Sequence, residues 1–401
     1  MPHYHPLHND NQDEQARAAH GGHLLQSDAF TQEAACMVVW LTAAVAVLLA
    51  AALYYWRTAA QKPQLVYQDN SANKTLIARL PRLTRRFWVT PWLFNTHLQL
   101  LALGLKKGFG KKLVYEQSDI LTMADGGTTA LHWLGLNKPA NSPTILVLHT
   151  ITGSPHSMRG LVSDIARYSA CRVVLCQRRG HGDLPLTTPR INTMGDTADL
   201  REQLAIIQQR FPDSPLYAIG SSAGSGLLVR YLGEAGVDTP IKGAMAYCPG
   251  YNIEVAFKRA RPFYSRMMAK KLIRQFITAH VPAFSALPTY EQCIQSQDLH
   301  EFHQNLYQCA GFATVQDFMD ASNPMKVFEN IQVPLLILNA EDDPVCHIDN
   351  AWEYEQQVRQ RPNMILAITR RGSHCAYFSG LTLKPWGHQL AAEFFAAVEK
   401  G

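Results

Sequence analysis

The chain has 401 residues, 47% hydrophobic and 17% charged, enough to bury one large core plus appendages. Its formal charge of +5 is mildly basic, but the basic residues form no aromatic-interleaved patch or known binding motif, which argues against nucleic acid as a partner. The eight cysteines show no CxxC pair and no His/Cys metal spacing, so buried free thiols are expected, with no metal site, no disulfide framework and no organic cofactor.

Residues 1–33 are polar and read as a disordered tail, and the five histidines among the first 23 residues fit that tail better than a metal site. Residues 34–56 form an almost unbroken apolar run without a charge, ending in Tyr54-Tyr55-Trp56 before Arg57. At about 1.5 Å per residue such a helix covers roughly 35 Å, enough to cross a bilayer. The late start and acidic leader argue against a cleavable signal peptide, so one transmembrane helix with an aromatic interfacial end is expected. Residues 57–86 read as a basic linker. Arg57, Lys62, Lys74, Arg79, Arg82, Arg85 and Arg86 follow the span, whereas Arg17 stands against Asp13, Glu14, Asp28 and Glu33 before it. Positive-inside counting therefore puts the C-terminal part in the cytosol, with a luminal placement as the alternative.

Residues 87–401 read as one globular domain. Leu113–Glu116 and Thr128–Trp133, joined through Asp125-Gly126-Gly127, predict an antiparallel start to a sheet. Short apolar runs then alternate with helical segments: 145–149, 172–176, 216–219, 244–248, 335–339 and 364–369. This alternation predicts an α/β fold with a mostly parallel sheet covered on both faces. The rhythm stops over about 249–330, which reads as a helical cap. Within the cap, Lys258 to Arg274 holds seven Lys or Arg and no acid, either a solvated helix face or one that rests on anionic lipid.

The chemistry centres on Gly220-Ser221-Ser222-Ala223-Gly224, a serine with glycines two residues to either side, set between a strand and a helix. That context forms a nucleophile elbow: the turn strains the serine backbone and needs glycine on both sides for space. Ser222 is the candidate nucleophile, with Ser221 and Ser225 next in line. Such an elbow needs an acid and then a histidine at the ends of later strands. The 335–339 run empties into Glu341-Asp342-Asp343-Pro344, and the 364–369 run into Arg370-Arg371-Gly372-Ser373-His374. Asp343, placed directly before the proline, is preferred to Asp342 for orienting the imidazole of His374, which takes the serine proton and returns it to the leaving group. The backbone N–H groups of Ala223 and of Ile151, in the loop after the third strand, are the expected oxyanion donors.

Further blocks carry a resemblance: Asn95-Thr96-His97-Leu98-Gln99, Arg179-Gly180-His181-Gly182-Asp183 with Pro185 to Arg190 after it, Gly195 to Leu200, and Asn339 to Pro344. From about Pro91 onward the chain resembles the AB hydrolase 4 family of α/β-hydrolases. That group includes membrane-anchored abhydrolase-domain lipases and yeast medium-chain fatty-acid ethyl ester synthase/esterases. Where the family usually has His-Gly-Leu-Thr-Gly, this chain has His149-Thr150-Ile151-Thr152-Gly153. The resemblance implies an α/β-hydrolase fold and a serine hydrolase for lipid or other hydrophobic esters, with Ser222, Asp343 and His374 as its triad. Acyl transfer to an alcohol on the same triad, or a non-catalytic membrane receptor or scaffold, are the alternatives. Oligomeric state is not legible.

Overall fold

The computed structural model describes residues 10–400. They divide into an N-terminal unit ending at Arg57 and a compact domain from Thr58 onward. The first unit is one helix, Asp10–Thr58, of which Ala35–Thr58 is long and apolar enough to cross a membrane. A disordered tail was expected over 1–33, but from Asp10 the chain is helical; residues 1–9 of that expectation lie outside the described residues. Gln, Glu, Ala and Leu dominate much of this stretch, and they lose little freedom in a helix.

The expected linker over 57–86 is different too. It supplies an edge strand, β1 (Gln64–Tyr67), and the short helices Ser71–Ala78 and Pro81–Thr84. Val66, Ile77, Leu80 and Leu83 are buried, so these basic residues ride on a segment anchored by apolar side chains at intervals along it. Arg82 reaches Glu393 and Gln389 on the last helix, which ties the segment to the domain.

The remaining strands are β2 (Gln117–Thr122), β3 (Thr128–Leu134), β4 (Thr144–Leu148), β5 (Arg172–Gln177), β6 (Leu216–Ser221), β7 (Ile241–Tyr247), β8 (Leu335–Ala340) and β9 (Met364–Thr369). Among the described residues they form one nine-stranded sheet in the order β1-β9-β8-β7-β6-β4-β5-β3-β2. Strands β4 to β9 are parallel, and β1, β2 and β3 join antiparallel. The hairpin lies later than Leu113–Glu116, because the tight turn at Asp125-Gly126 pairs Thr122 with Thr128 and so sets the register back to Gln117↔Trp133. Gly126 has φ +81°, a conformation a side chain disfavours.

Strands β4, β5, β6, β8 and β9 are buried at every position, the consequence of helices on both faces and the reason they read as unbroken apolar runs. From β4 the chain goes to β5 on one side and then to β6 on the other. This reversal opens a crevice at the carboxyl ends of β4 and β6. The 249–330 segment is helical and has its own core, in which Phe276, Phe284, Phe302 and Phe318 pack with Ile151, Ile191 and Met194 of the sheet domain. Its basic run is partly spent internally: Lys258 pairs with Glu254, Arg259 with Glu353, and the Lys271 Nζ donates to Thr152 Oγ1.

Candidate active site

Ser222 stands between β6 and the helix Ala223–Ala235 with φ 53° and ψ −119°, a strained conformation for a residue with a side chain. Its N–H donates to the Tyr247 carbonyl at 2.8 Å, which locks the turn against β7. A Cβ at Gly220 would lie 2.3 Å from the Gly224 carbonyl oxygen, and one at Gly224 would lie 2.4 Å from the Leu148 carbonyl oxygen. Both glycines are thus demanded by backbone packing: the first by the turn itself, the second by the close passage of β4.

Three side chains from the ends of three strands meet here. His374 Nε2 is 2.8 Å from Ser222 Oγ, and His374 Nδ1 is 2.7 Å from Asp343 Oδ2. The other carboxylate oxygen of Asp343 accepts from the N–H groups of Val345 and Cys346 at 2.8 and 2.9 Å, so the buried carboxylate has one orientation. Burial disfavours the His374 cation, whereas the Asp343 carboxylate beside Nδ1 favours it, so the imidazolium formed on proton uptake is stabilised in place. Asp342 does not reach the imidazole. Its Oδ1 accepts the Ser373 N–H at 2.8 Å, and burial pushes its carboxyl up to about 6.

Ile151, Ala223 and Ser222 line one narrow apolar slot of about 30 Å³. Among the described residues neither the Ile151 nor the Ala223 amide has an acceptor. The carbonyl of Thr150 accepts from Gly153 N (2.9 Å), His149 Nδ1 (2.8 Å) and Arg178 Nη2 (2.8 Å). Because N–H and C=O of a trans peptide point oppositely, three donors on that oxygen set the direction of the Ile151 N–H. Ala223 opens a helix, whose N-terminal amides and dipole favour negative charge.

Sequence reasoning missed the residues behind these loops. Arg178 is buried, and burial lowers its guanidinium to about 9; its backbone N–H donates to His149 Nε2 at 3.0 Å. His181 Nε2 lies 3.0 Å from the Ile151 carbonyl, and burial pushes this imidazole down to about 3. Thr96 Oγ1 lies 2.7 Å from Ser373 Oγ, so the Asn95–Gln99 block braces the histidine loop. Thr96 and His181 lie inside blocks visible as motifs and Arg178 directly before one, but nothing local says which side chain turns inward. All eight cysteines are free. Cys248, Cys346 and Cys375 surround the imidazole and offer metal-ligating atoms, but both imidazole nitrogens already face Ser222 and Asp343.

Residues 140–378, more than half of the chain, match the family model described as Hydrolase_4, serine aminopeptidase S33. The chain belongs to this family. It is 27% identical to the embryogenesis-associated protein EMB8 of Picea glauca, over 85% of this chain and 78% of the spruce protein. It is 27% identical to phospholipase ABHD3 of Mus musculus, over 83% of each chain. It is also 25% identical to medium-chain fatty acid ethyl ester synthase/esterase 2 of Saccharomyces cerevisiae, over 79% of this chain and 86% of the yeast protein. These relatives agree with the group implied by the sequence blocks, and the chain is a serine hydrolase with the α/β-hydrolase fold.

Proposed function

We propose that the protein hydrolyses hydrophobic carboxylic esters by a two-step acyl-enzyme route, with Ser222, His374 and Asp343 as its triad and Ile151 and Ala223 as oxyanion donors. The observation that carries the ester reading is the slot in front of Ser222. Its walls are Ile151, Met194, Ala223, Ile253, Phe257 and Met268, with Gly226, Gly250, Ala256, Val345 and Cys346 filling the rest. No carboxylate lines it, so nothing there receives the α-ammonium group that an aminopeptidase substrate presents. An apolar acyl chain fits that chemistry.

The steps follow from the geometry. Ser222 Oγ attacks the ester carbonyl carbon while its proton passes to His374 Nε2, and Asp343 stabilises the imidazolium. The two amides take up the oxyanion, and losing one such donor typically costs on the order of 100-fold or more. Collapse breaks the C–O bond, and the leaving alkoxide takes the proton from His374. Water, deprotonated by the same imidazole, then releases the acid and restores Ser222. A slot of about 30 Å³ is too small for an acyl chain, so the Phe257 and Met268 side of the cap must move aside on binding. Ala35–Thr58 anchors the protein in a membrane, and the excess of basic residues after it favours a cytosolic domain.

Fluorophosphonate labelling tests the nucleophile. The wild type labels and turns over p-nitrophenyl acyl esters but not aminoacyl amides; Ser222→Ala abolishes both labelling and turnover. Labelling that survives the substitution moves the nucleophile elsewhere, and amide turnover exceeding ester turnover refutes the ester reading.

A further inference from the structure

The helix Thr96–Phe109 carries two faces that do different things. Its inner face is built into the catalytic loop: Thr96 and Gln99 are buried, with Thr96 bonded to Ser373 and Gln99 Nε2 3.5 Å from Asp342 Oδ2. Its outer face is apolar and open. Leu98, Leu101, Leu105 and Phe109 are 43, 59, 49 and 87% exposed, and spacings of three, four and four residues put them on a single stripe. Soluble surfaces seldom leave such a stripe uncovered.

The stripe does not end with the helix. His97 Nδ1 is 2.6 Å from Tyr264 Oη and their rings stack, which joins it to the cap helix Pro262–Leu272. There Phe263 and Met267 are exposed as well, at 68 and 50%. On the N-terminal side Trp92 and Phe94 extend it with exposed aromatic rings.

Charge says what covers it. Residues 96–115 contain four Lys and no Asp or Glu. Lys106, Lys107, Lys111 and Lys112 follow the stripe and rim a cavity of about 390 Å³, whose inner wall includes Thr150, Ser221 and Cys375, neighbours in sequence of the oxyanion loop, Ser222 and His374. The acid on that wall, Asp164, is already bonded to His388 at 2.7 Å. An apolar stripe with aromatic rings and a lysine collar matches a bilayer interface with anionic headgroups. The apolar span of the same chain ends at Thr58, and Ala59 and Ala60 are already buried in the domain, so the tether to a membrane is short.

We propose that the outer face of the Thr96–Phe109 helix, with Phe263 and Met267 of the cap, docks on an anionic bilayer and presents the Ser222 cleft to lipid esters. This rests on the anchor reading of Ala35–Thr58 and on the ester reading of the site. Docking through one face of a helix whose other face braces Ser373 puts the membrane surface next to the catalytic histidine loop.

The full chain, reconstituted in phosphatidylcholine vesicles with phosphatidylserine, separates these readings. Cys36, the exposed thiol, is replaced by serine, and a bimane dye is attached through Leu105→Cys or, as control, Val237→Cys, an exposed position before the start of β7, at the sheet end opposite Ser222. Nitroxide lipids are expected to quench the dye at 105 and leave that at 237 bright. Substituting Leu98, Leu101, Leu105 and Phe109 together by serine is expected to lower hydrolysis of vesicle-borne diacylglycerol about tenfold, while a soluble butyrate ester turns over at the wild-type rate. Equal quenching at the two positions overturns the docking proposal, as does an equal loss on both substrates together with unchanged quenching in the dye-labelled parent. Failure of the vesicles to carry the protein on flotation would instead refute the anchor, and failure on the soluble ester in the parent would refute the ester reading.

Discussion

The serine elbow and the histidine loop face each other across 2.8 Å, yet they are built by opposite means. The elbow is a local object. One strained residue, two glycines and the adjoining strands β4 and β7 determine it, and all of its critical spacing lies within five consecutive residues. The loop from Gly372 to Tyr377 has Ser373, Cys375 and Tyr377 at positive φ, at 50, 62 and 41°. No glycine relieves those three positions, so distant partners must hold them: Asp342 on the Ser373 N–H, Thr96 on the Ser373 hydroxyl, and Asp343 on the imidazole. The contrast teaches that the proposed nucleophile is preorganised by backbone, whereas the proposed base is positioned by side chains remote in sequence.

The largest blow to that comparison is aimed at the elbow. Gly224→Ala puts a methyl against the carbonyls of Leu148 and His149, which cannot retreat without moving the oxyanion loop. We expect kcat to fall about 100-fold or more and the protein to lose about 1–3 kcal/mol of stability, as overpacking does. Wild-type kcat in this variant would show that the close passage of β4 is irrelevant to catalysis. A milder change addresses the loop. Thr96→Val keeps the shape and removes the hydroxyl that meets Ser373, at a typical cost of ~1 kcal/mol. Because the bond holds the histidine loop in its reactive geometry, we also expect kcat to fall about fivefold, with KM for a soluble ester little changed; an effect on KM alone would assign Thr96 to substrate binding instead.

The last expected effect is on stability and concerns pH. The Asp342 carboxyl is raised in the folded protein to about 6 from its ordinary 3.8, so the folded state holds the proton more tightly than the unfolded chain. Its contribution to stability is full below the unfolded value and is lost as pH rises through about 6, a difference of roughly 2 kcal/mol between pH 4 and pH 8. Asp342→Asn keeps an acceptor for the Ser373 N–H, and its new amide faces the Gln99 side chain, whose Oε1 is buried without a partner among the described residues. Denaturant titration at several pH values should show this part of the acid-to-alkaline decline removed, with Tm at pH 8 raised. An unchanged pH slope would mean that Asp342 is ionised in the folded protein at no cost.

How far the sequence could be read depended on how local each constraint is. Runs such as Met364–Thr369 announced strands because a parallel strand covered on both faces has to be apolar throughout. The strand Gln64–Tyr67 stayed hidden inside a basic stretch, because an edge strand needs few apolar residues and its pairing with β9 lies about 300 residues away. The same distinction separates Asp342 from Asp343: the proline after Asp343 already favoured it for the imidazole, but only the fold shows Asp342 directed to a backbone amide.

By itself, then, the order of residues determined the alternation of strands and helices, the spacing around Ser222 and the apolar length of Ala35–Thr58, since each is set by steric or solvation rules acting within a few residues. Tertiary structure alone decided that Asp342 is spent on the Ser373 N–H, that Arg178 sits beneath the Thr150–Gly153 loop, and that the Thr96–Phe109 helix buries its polar side while showing its leucines to solvent. Those outcomes depend on what lies opposite each side chain after the chain has closed on itself, and no local rule contains that information.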